Sequence, residues 1–385
     1  MQKRLASRGI NMRVAHLGKY SFYKNGGVER HVVDLTVALA AKGVDVTVFS
    51  YDESGVREPA IIDGVKVEPI PPMITAASQS VAPRLIQRLR ALSREAPFDV
   101  IHQHWPDPFA HLVASLTTRT PPHVVTWHMD IVRQRWLGPL YRSFARGLLR
   151  EPDVVVTATQ AHMRSRQLNT LAPTARKVVI PFGIHEQRYK TSESVFAQAQ
   201  EIREQFAPKP IIFALGRHVH YKGFSVLIKA MSRVDAVLLL GGSGPLSGEL
   251  QSLARELDVR VVFLGSIPDD VLPSYFYASD VFCLPSCDQT EAFGLVQAEA
   301  MACGRPVVNT DLGNGVNELA PAGICALTVP VGDDRKLGAA LAELLLDRML
   351  AKNLGEAGRS RIRQSYSVES MVEQTLNLYS SLVNS

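Results

Sequence analysis

Short apolar runs alternate along most of the chain with stretches whose apolar residues recur every three or four positions. Met12 to Leu17 reads as a strand. A loop with Gly26-Gly27 follows, then Val28, Val32, Leu35 and Leu39, whose spacing predicts a helix closed by Gly43. Val44 to Phe49 predicts the next strand, and Val100–His102, Val124–Trp127, Val154–Ala158 and Val178–Ile180 continue the series. Strands alternating with helices predict a parallel sheet covered on both faces.

The alternation breaks near Phe182-Gly183. Glu186 to Lys209 is mostly polar and reads as a connector carrying a short helix. A second series then starts at Ile211–Leu215 and runs through Val237–Leu240, Val261–Leu264, Val281–Leu284 and Val307-Val308. The pattern divides the chain into residues 1–183, a hinge at 184–209 and residues 210–365. A last helical stretch, within residues 366–385, is expected to cross back onto the first domain. Two α/β domains of similar build would present opposed sheet ends across a cleft, and open α/β sheets bind ligands at the carboxyl ends of their strands.

A chain of 385 residues exceeds one compact core, which agrees with two domains. No apolar run reaches the roughly 18 residues that span a bilayer. Met1–Ile10 is basic but lacks the apolar core of a secretory signal, so a cytoplasmic location is expected. The four cysteines, at 283, 287, 303 and 325, fit neither paired C-x-x-C zinc spacing nor a secreted disulfide framework, and read as buried thiols. Charge is divided unevenly. Residues 1–182 hold 24 Lys and Arg against 14 Asp and Glu, a net of +10, and the remainder hold 18 against 23, a net of −5. The first half is therefore expected to face something anionic.

The most informative stretch is Asp288–Val308, DQTEAFGLVQAEAMACGRPVV. Gly304 with Pro306 just beyond signals a helix end, so a helix is predicted from about Phe293 to Cys303. The N–H groups of Gly294, Leu295 and Val296 would then lack helical partners and carry the positive end of the helix dipole, a place for a diphosphate. Glu291 at the mouth and Glu299 about two turns on could each accept hydrogen bonds from a pair of vicinal hydroxyls. A nucleotide sugar has that layout: hexose, diphosphate, ribose.

Gly26-Gly27 also lies between a strand and a helix, where backbone can pass close to a phosphate. Neither it nor Gly241–Gly244 completes the G-x-G-x-x-G fingerprint of dinucleotide binding, which argues against an NAD enzyme. Gly216 to Gly223, GRHVHYKG, follows a strand and puts Arg217 and Lys222 at its carboxyl end, where cations could stabilise a departing nucleoside diphosphate. No D-x-D occurs, so protein cations rather than a metal are expected to neutralise the leaving group. His128 ends a strand and is a further candidate. His16, His102, His104 and His123 have no charged partners at metal-ligand spacing, and no metal is assigned. Arg84–Leu92 and Arg133–Arg150 alternate cations with large apolar residues. They read as core-facing helices with a basic solvent side, or as surfaces for anionic lipid.

Taken together, these residues resemble a retaining glycosyltransferase of the GT-B fold, family 4, and the resemblance spans nearly the whole chain. Its carriers are Gly26-Gly27 with the helix after it, Trp127-His128, Ile180–Ile184, Gly216-Arg217, Tyr221-Lys222-Gly223, and Glu291 to Glu299 with the tail AMACGRPVV. The resemblance implies two Rossmann-like domains with parallel sheets facing across an interdomain cleft. It implies that Glu291 binds the donor hexose and Glu299 the ribose, with Phe293, Gly294 and Leu295 amides at the diphosphate and sugar. Arg217 and Lys222 would hold the diphosphate, Gly26-Gly27 would approach it from the first domain, and His128 would contact the transferred sugar. The loop His218–Tyr221 departs from the family, many of whose members have a shorter loop with an acidic residue there. Trp127–Gln134 and Asn309–Gly313 are similar to bacterial surface-polysaccharide mannosyl- and rhamnosyltransferases of the O-antigen type, which points to a GDP-sugar donor.

The expected activity is transfer of a hexose, mannose or a deoxy relative, from a nucleotide diphosphate sugar to a glycan or polyprenyl-diphosphate-linked acceptor. Front-face attack needs no metal or other cofactor, and no nucleic acid partner is implied. The basic first half could hold the protein peripherally on the inner face of the cytoplasmic membrane. The rival expectations are a phosphorylase or sucrose-synthase-like enzyme, and an inactive sugar-nucleotide-binding scaffold.

Overall fold

The computed structural model describes residues 12–18, 22–23, 26–76, 79–117, 121–129 and 151–384. The chain divides into two compact units: residues up to Gly183 together with Val368 onward, and Ile184–Ser367. The basic stretch Arg133–Arg150, with its Trp136, Leu140, Phe144 and Leu148 stripe, lies outside the described residues.

In the first unit the strands are β1 (Arg13–Gly18), β2 (Asp45–Tyr51), β3 (Ala60–Ile62), β4 (Val65–Ile70), β5 (Ile74–Ala76), β6 (Gln79–Val81), β7 (Val100–Trp105), β8 (His123–Trp127), β9 (Val154–Thr157) and β10 (Arg176–Val179). Eight of them form one sheet in the order β10-β9-β8-β7-β1-β2-β4-β3, while β5 and β6 make a separate two-stranded ribbon. Every pairing in the large sheet is parallel except the edge pair β3–β4. Helices cover both faces. Leu35 and Leu39 of helix Gly27–Ala41 pack with Val372, Leu378 and Tyr379 of the C-terminal helix Val368–Val383 on one side. Leu85 and Leu89 of helix Arg84–Glu95 and Val113 of helix Pro108–Thr117 pack on the other. Arg84, Arg90 and Arg94 remain exposed, so that helix has a core face and a basic solvent face.

The second unit contains β11 (Ile211–Leu215), β12 (Val237–Gly241), β13 (Val261–Gly265), β14 (Val281–Leu284), β15 (Val307–Thr310) and β16 (Ala326–Val329). They lie in the order β13-β12-β11-β14-β15-β16, all parallel. This is the doubly wound order in which the chain reverses direction between β11 and β14, and loops leaving two strands at such a point diverge and leave a crevice at their carboxyl ends. The stretch 184–209, read from its polarity as a connector, folds within this unit. Its helix is 14 residues long, Glu193–Phe206, starts at a Ser192 cap, and buries Ala199 and Phe206. Polarity marks its solvent side and hides the two anchors.

Strands β3, β5, β6 and β16 escape the apolar pattern, because at three or four residues they are too short to show a period. Of the cysteines, 283, 303 and 325 are buried as expected, whereas Cys287 is only half-buried because it lies in the loop after β14.

Candidate active site

In the second unit the two loops at the reversal point are stitched together. The Cys287 N–H, after β14, donates to the Tyr221 carbonyl, after β11, at 2.8 Å. Tyr221 belongs to a single 3₁₀ turn, His220–Lys222, ended by Gly223 at φ 67°. That left-handed conformation favours glycine. A Cβ at Gly223 would also lie 1.9 Å from the Pro285 carbonyl oxygen. The glycine therefore lets the β11 loop close onto the β14 loop and sets where Lys222 points.

It points at Glu291. Lys222 Nζ donates to Glu291 Oε2 at 2.5 Å, and the Ser286 hydroxyl donates to the same oxygen at 3.0 Å. Both partners of the ion pair are nearly enclosed, with side chains 11% and 10% exposed. Burial alone would lower the pKa of the Lys222 ammonium. Glu291 overcomes that, with smaller help from Tyr221 and Glu299, and carries it above its ordinary value. The Glu291 backbone is held too: its carbonyl accepts from Asn314 Nδ2 at 2.8 Å.

Helix Leu295–Ala302 begins after Gly294, which takes the left-handed conformation at φ 73°. The helix is shorter than the predicted Phe293–Cys303, because that backbone turn ends the helical geometry on its N-terminal side. The first bonds of the helix run from the Gln297 and Ala298 N–H groups to the Gly294 carbonyl, at 2.9 and 3.4 Å. The amides of Leu295 and Val296 consequently have no acceptor within the helix. Glu299 is buried one turn further on, and Phe293 is buried beside the ring of Tyr366. The helix is anchored by Gln297, which donates to the Val316 carbonyl at 2.8 Å and accepts from Asn309 at 3.2 Å. Arg217, also after β11, is exposed and makes no ion pair among the described residues. His218 turns inward to Ser247 at 2.9 Å, so it supports the loop rather than facing a ligand.

The second unit thus brings Lys222, Glu291, Phe293, Gly294, Leu295 and Glu299 to one end of its sheet, with Arg217 on the same loop as Lys222. The remaining candidates, Gly26, Gly27 and His128, lie in the first unit. Gly26 caps and Gly27 opens helix Gly27–Ala41. His31 on that helix has its ring 5.1 Å from that of His128. His128 is itself buried at the end of β8, next to Phe182.

Sequence reasoning missed two kinds of residue. Ser286 and Asn314 carry no motif and are recognised only by what they hold. The histidines treated singly form a cluster: His16, His102 and His104 bring one ring nitrogen each within 4.8 Å of one another, as do His31, His104 and His128. The signal was present, since His102 and His104 share a strand face and His16 is in register with His102. Three imidazoles at such range are a grouping that zinc can use. Here His104 already bonds His16 at 3.0 Å and His128 at 3.1 Å through its two ring nitrogens.

Comparison with known proteins bears on both units. Residues 25–188 match the family described as Glycosyltransferase Family 4, and residues 197–361 match Glycosyl transferases group 1. The chain belongs to the family 4 glycosyltransferases of the GT-B fold, and is a hexosyltransferase. It is 27% identical to the O-antigen chain mannosyltransferase C of Escherichia coli, covering 97% of this chain and 100% of that one. It is 29% identical to the D-rhamnosyltransferase WbpZ of Pseudomonas aeruginosa, with 92% of each covered. Among solved structures, the sucrose-phosphate synthase of Thermosynechococcus elongatus superposes with a TM-score of 0.81 at 22% identity, over 97% of this chain and 100% of that one.

Proposed function

We propose that this glycosyltransferase moves a mannose or deoxymannose unit, with retention, from a GDP-sugar to a glycan or lipid-linked oligosaccharide, without a metal. The observation that carries this is the Lys222–Glu291–Ser286 cluster beside the open first turn of helix Leu295–Ala302. An ammonium has three donors, so Lys222 can keep its bond to Glu291 and still meet a phosphate oxygen. The Leu295 and Val296 amides and Arg217 supply further positive ends for a diphosphate whose charge grows as the bond to the sugar breaks. Glu291, with one oxygen taken by Lys222 and Ser286, offers the other to hexose hydroxyls, and Glu299 takes the ribose. His128 and Gly26-Gly27 in the first unit serve the transferred sugar and the phosphate. The departing phosphate oxygen takes the acceptor proton in a front-face attack.

The first test is thermal-shift screening with GDP, UDP, ADP and CDP, because a ligand at 100 times its Kd adds about 2.7 kcal/mol of stability. A shift with GDP alone supports the donor. A shift with UDP alone would discard the mannosyl assignment and keep the enzyme. Transfer from GDP-mannose that survives EDTA and yields an axial product anomer by NMR supports the metal-free, retaining course; an inverted anomer would sink it. Turnover that requires orthophosphate would favour a phosphorylase.

The acceptor-binding role of the first unit rests on its charge of +10 over residues 1–182 and on the exposed Arg84, Arg90 and Arg94. No helix among the described residues is long and apolar enough to cross a membrane. A polyprenyl-diphosphate acceptor on an anionic membrane surface fits these features, each Lys or Arg near such a surface contributing about 1 kcal/mol. Flotation with anionic but not neutral liposomes is expected, and absence from both would remove the membrane clause.

A further inference from the structure

The second unit carries a cavity of about 510 Å³ at the end of its sheet opposite Lys222 and Glu291. Pro210, Asp280 and Pro306 line it, and each immediately precedes a strand, β11, β14 and β15 in turn. The cavity therefore opens at the amino ends of the strands. Leu344, Leu345 and Ala351 give it an apolar wall. Its volume falls in the range of small-molecule sites.

The charge around it is mostly of one sign. Arg203, Arg305, Arg348, Lys352 and Arg359 line it with only Asp280 and Glu356 against them, a net of +3. Both carboxylates are already engaged. Asp280 accepts from Arg203 Nη2 through one oxygen and from the Ile211 N–H through the other, each at 2.8 Å. Glu356 lies 3.8 Å from Lys352 on the same helix. Arg305, Arg348 and Arg359 are left with no carboxylate within ion-pair distance among the described residues.

Helix ends explain part of this. Arg359 donates to the Ala302 carbonyl and to the Tyr277 hydroxyl, both at 3.2 Å, and Arg305 Nη1 donates to the Ser279 carbonyl at 3.0 Å. These acceptors lie at the C-terminal ends of helices Leu295–Ala302 and Leu272–Ala278, where a cation is favourable. Yet a guanidinium has five N–H donors, so each arginine keeps donors beyond these bonds. Burial pulls the pKa of Arg305 below the ordinary arginine value, and Cys303, Tyr277 and Asp280 restore only part of it. Arg348 is not explained by helix ends at all. It opens helix Arg348–Ser365, where the dipole disfavours a cation, and it is exposed with no bond or ion pair among the described residues. Asp347 before it spends Oδ1 on the Met349 and Leu350 N–H groups, at 3.0 and 2.9 Å.

Arginine forks match phosphate oxygens bidentately. One phosphate monoester carries about 1.5 to 2 negative charges at neutral pH, fewer than the three unmatched cations, and two linked phosphates come closer. We propose that this cavity is a diphosphate-binding site, separate from the donor site, in which Arg305, Arg348 and Arg359 hold a diphosphate that is free or ends a small molecule. The bound anion supplies the counter-charge that no carboxylate of the cavity gives, and its organic part lies along Leu344, Leu345 and Ala351. The site stands at the other end of the sheet from Lys222 and does not depend on the reaction proposed above.

The test is calorimetric titration with pyrophosphate at about 0.15 M salt, where exposed charges are screened beyond roughly 8 Å. It is run on the wild-type protein and on Lys222→Ala, which removes the cation proposed for the donor diphosphate. Binding is expected to persist in Lys222→Ala and to weaken roughly 10–100-fold when Arg305→Gln is added, the loss of a charge-assisted contact. Arg348→Gln removes a side chain that holds nothing, so its ligand-free melting temperature is expected to match the parent, while pyrophosphate binding weakens about 3–10-fold. It decides the matter if Arg305→Gln does not fold. No pyrophosphate binding in Lys222→Ala, or full binding in the arginine variants, overturns the proposal. Orthophosphate binding as tight as pyrophosphate overturns the diphosphate assignment. A nucleoside diphosphate that shows the same losses in the Lys222→Ala background supports the ester form, and pyrophosphate alone supports the free anion. If Lys222→Ala changes nothing while the arginine variants weaken binding, the donor-end role of Lys222 fails and this site stands.

Discussion

Lys222 and Glu291 stand 69 positions apart in the chain and share a hydrogen bond of 2.5 Å inside the second unit. The bond joins the loop after β11 to the loop after β14, the two strands between which the sheet changes direction. A cation placed there is aligned before any substrate arrives. Its orientation is set by Glu291, by the Gly223 turn and by the Cys287–Tyr221 backbone bond.

Replacing Lys222 should therefore affect the chemical step. Lys222→Ala is expected to lose about 2–4 kcal/mol of transition-state stabilisation, a fall in kcat of roughly 30–1,000-fold. Steady-state transfer with the donor chosen by the nucleotide screen measures it. An unchanged kcat in a folded variant would remove Lys222 from the diphosphate site.

The same pair carries a pH dependence. The folded-state pKa of Lys222 is raised above its unfolded value, chiefly by Glu291 acting against burial. Its contribution to stability is thus fully present below the ordinary lysine value of about 10.4 and is lost as pH rises through the higher folded value. The melting-temperature gap between wild type and Lys222→Ala should stay constant up to about pH 10 and narrow above it. A gap that narrows between pH 6 and 8 would place the effect on another group.

Glu291 and Glu299 should separate in function although both are buried on one sheet end. Glu291→Ala is expected to abolish turnover while nucleotide affinity changes little. Glu299→Ala is expected to weaken nucleoside diphosphate binding, read by calorimetry, through loss of the ribose contact. The opposite pattern would exchange the two roles.

Gly223→Ala tests the backbone. The added Cβ would meet the Pro285 carbonyl oxygen at 1.9 Å in a residue already at φ 67°. Strain of about 1–3 kcal/mol from the dihedral alone is expected, with more from the clash, and a lower melting temperature should accompany the loss of kcat as Lys222 is displaced. A variant with wild-type melting and kcat would show that the two loops do not need to close to this distance.

The amino-acid sequence alone determined the alternating architecture, the break after Gly183, and the local chemistry of each motif. Period-two and period-3.6 patterning is written in consecutive residues, and helix ends such as Gly304-Pro306 are set by the backbone limits of those residue types. Glu291, Lys222 and the glycines beside them were legible for the same reason, because each stands at a fixed offset from a strand end. The tertiary structure decided what meets what. Strand order put the β11 and β14 loops side by side, and only then did Ser286 and Asn314, which carry no motif, become the groups that hold Glu291. Register did the same for the histidines: His16, His104 and His128 lie on three parallel strands or their ends, up to 112 positions apart in number, and become neighbours when β1, β7 and β8 pair. Periodicity tells which face a side chain takes; which strand lies beside it depends on how the whole sheet closes over its core.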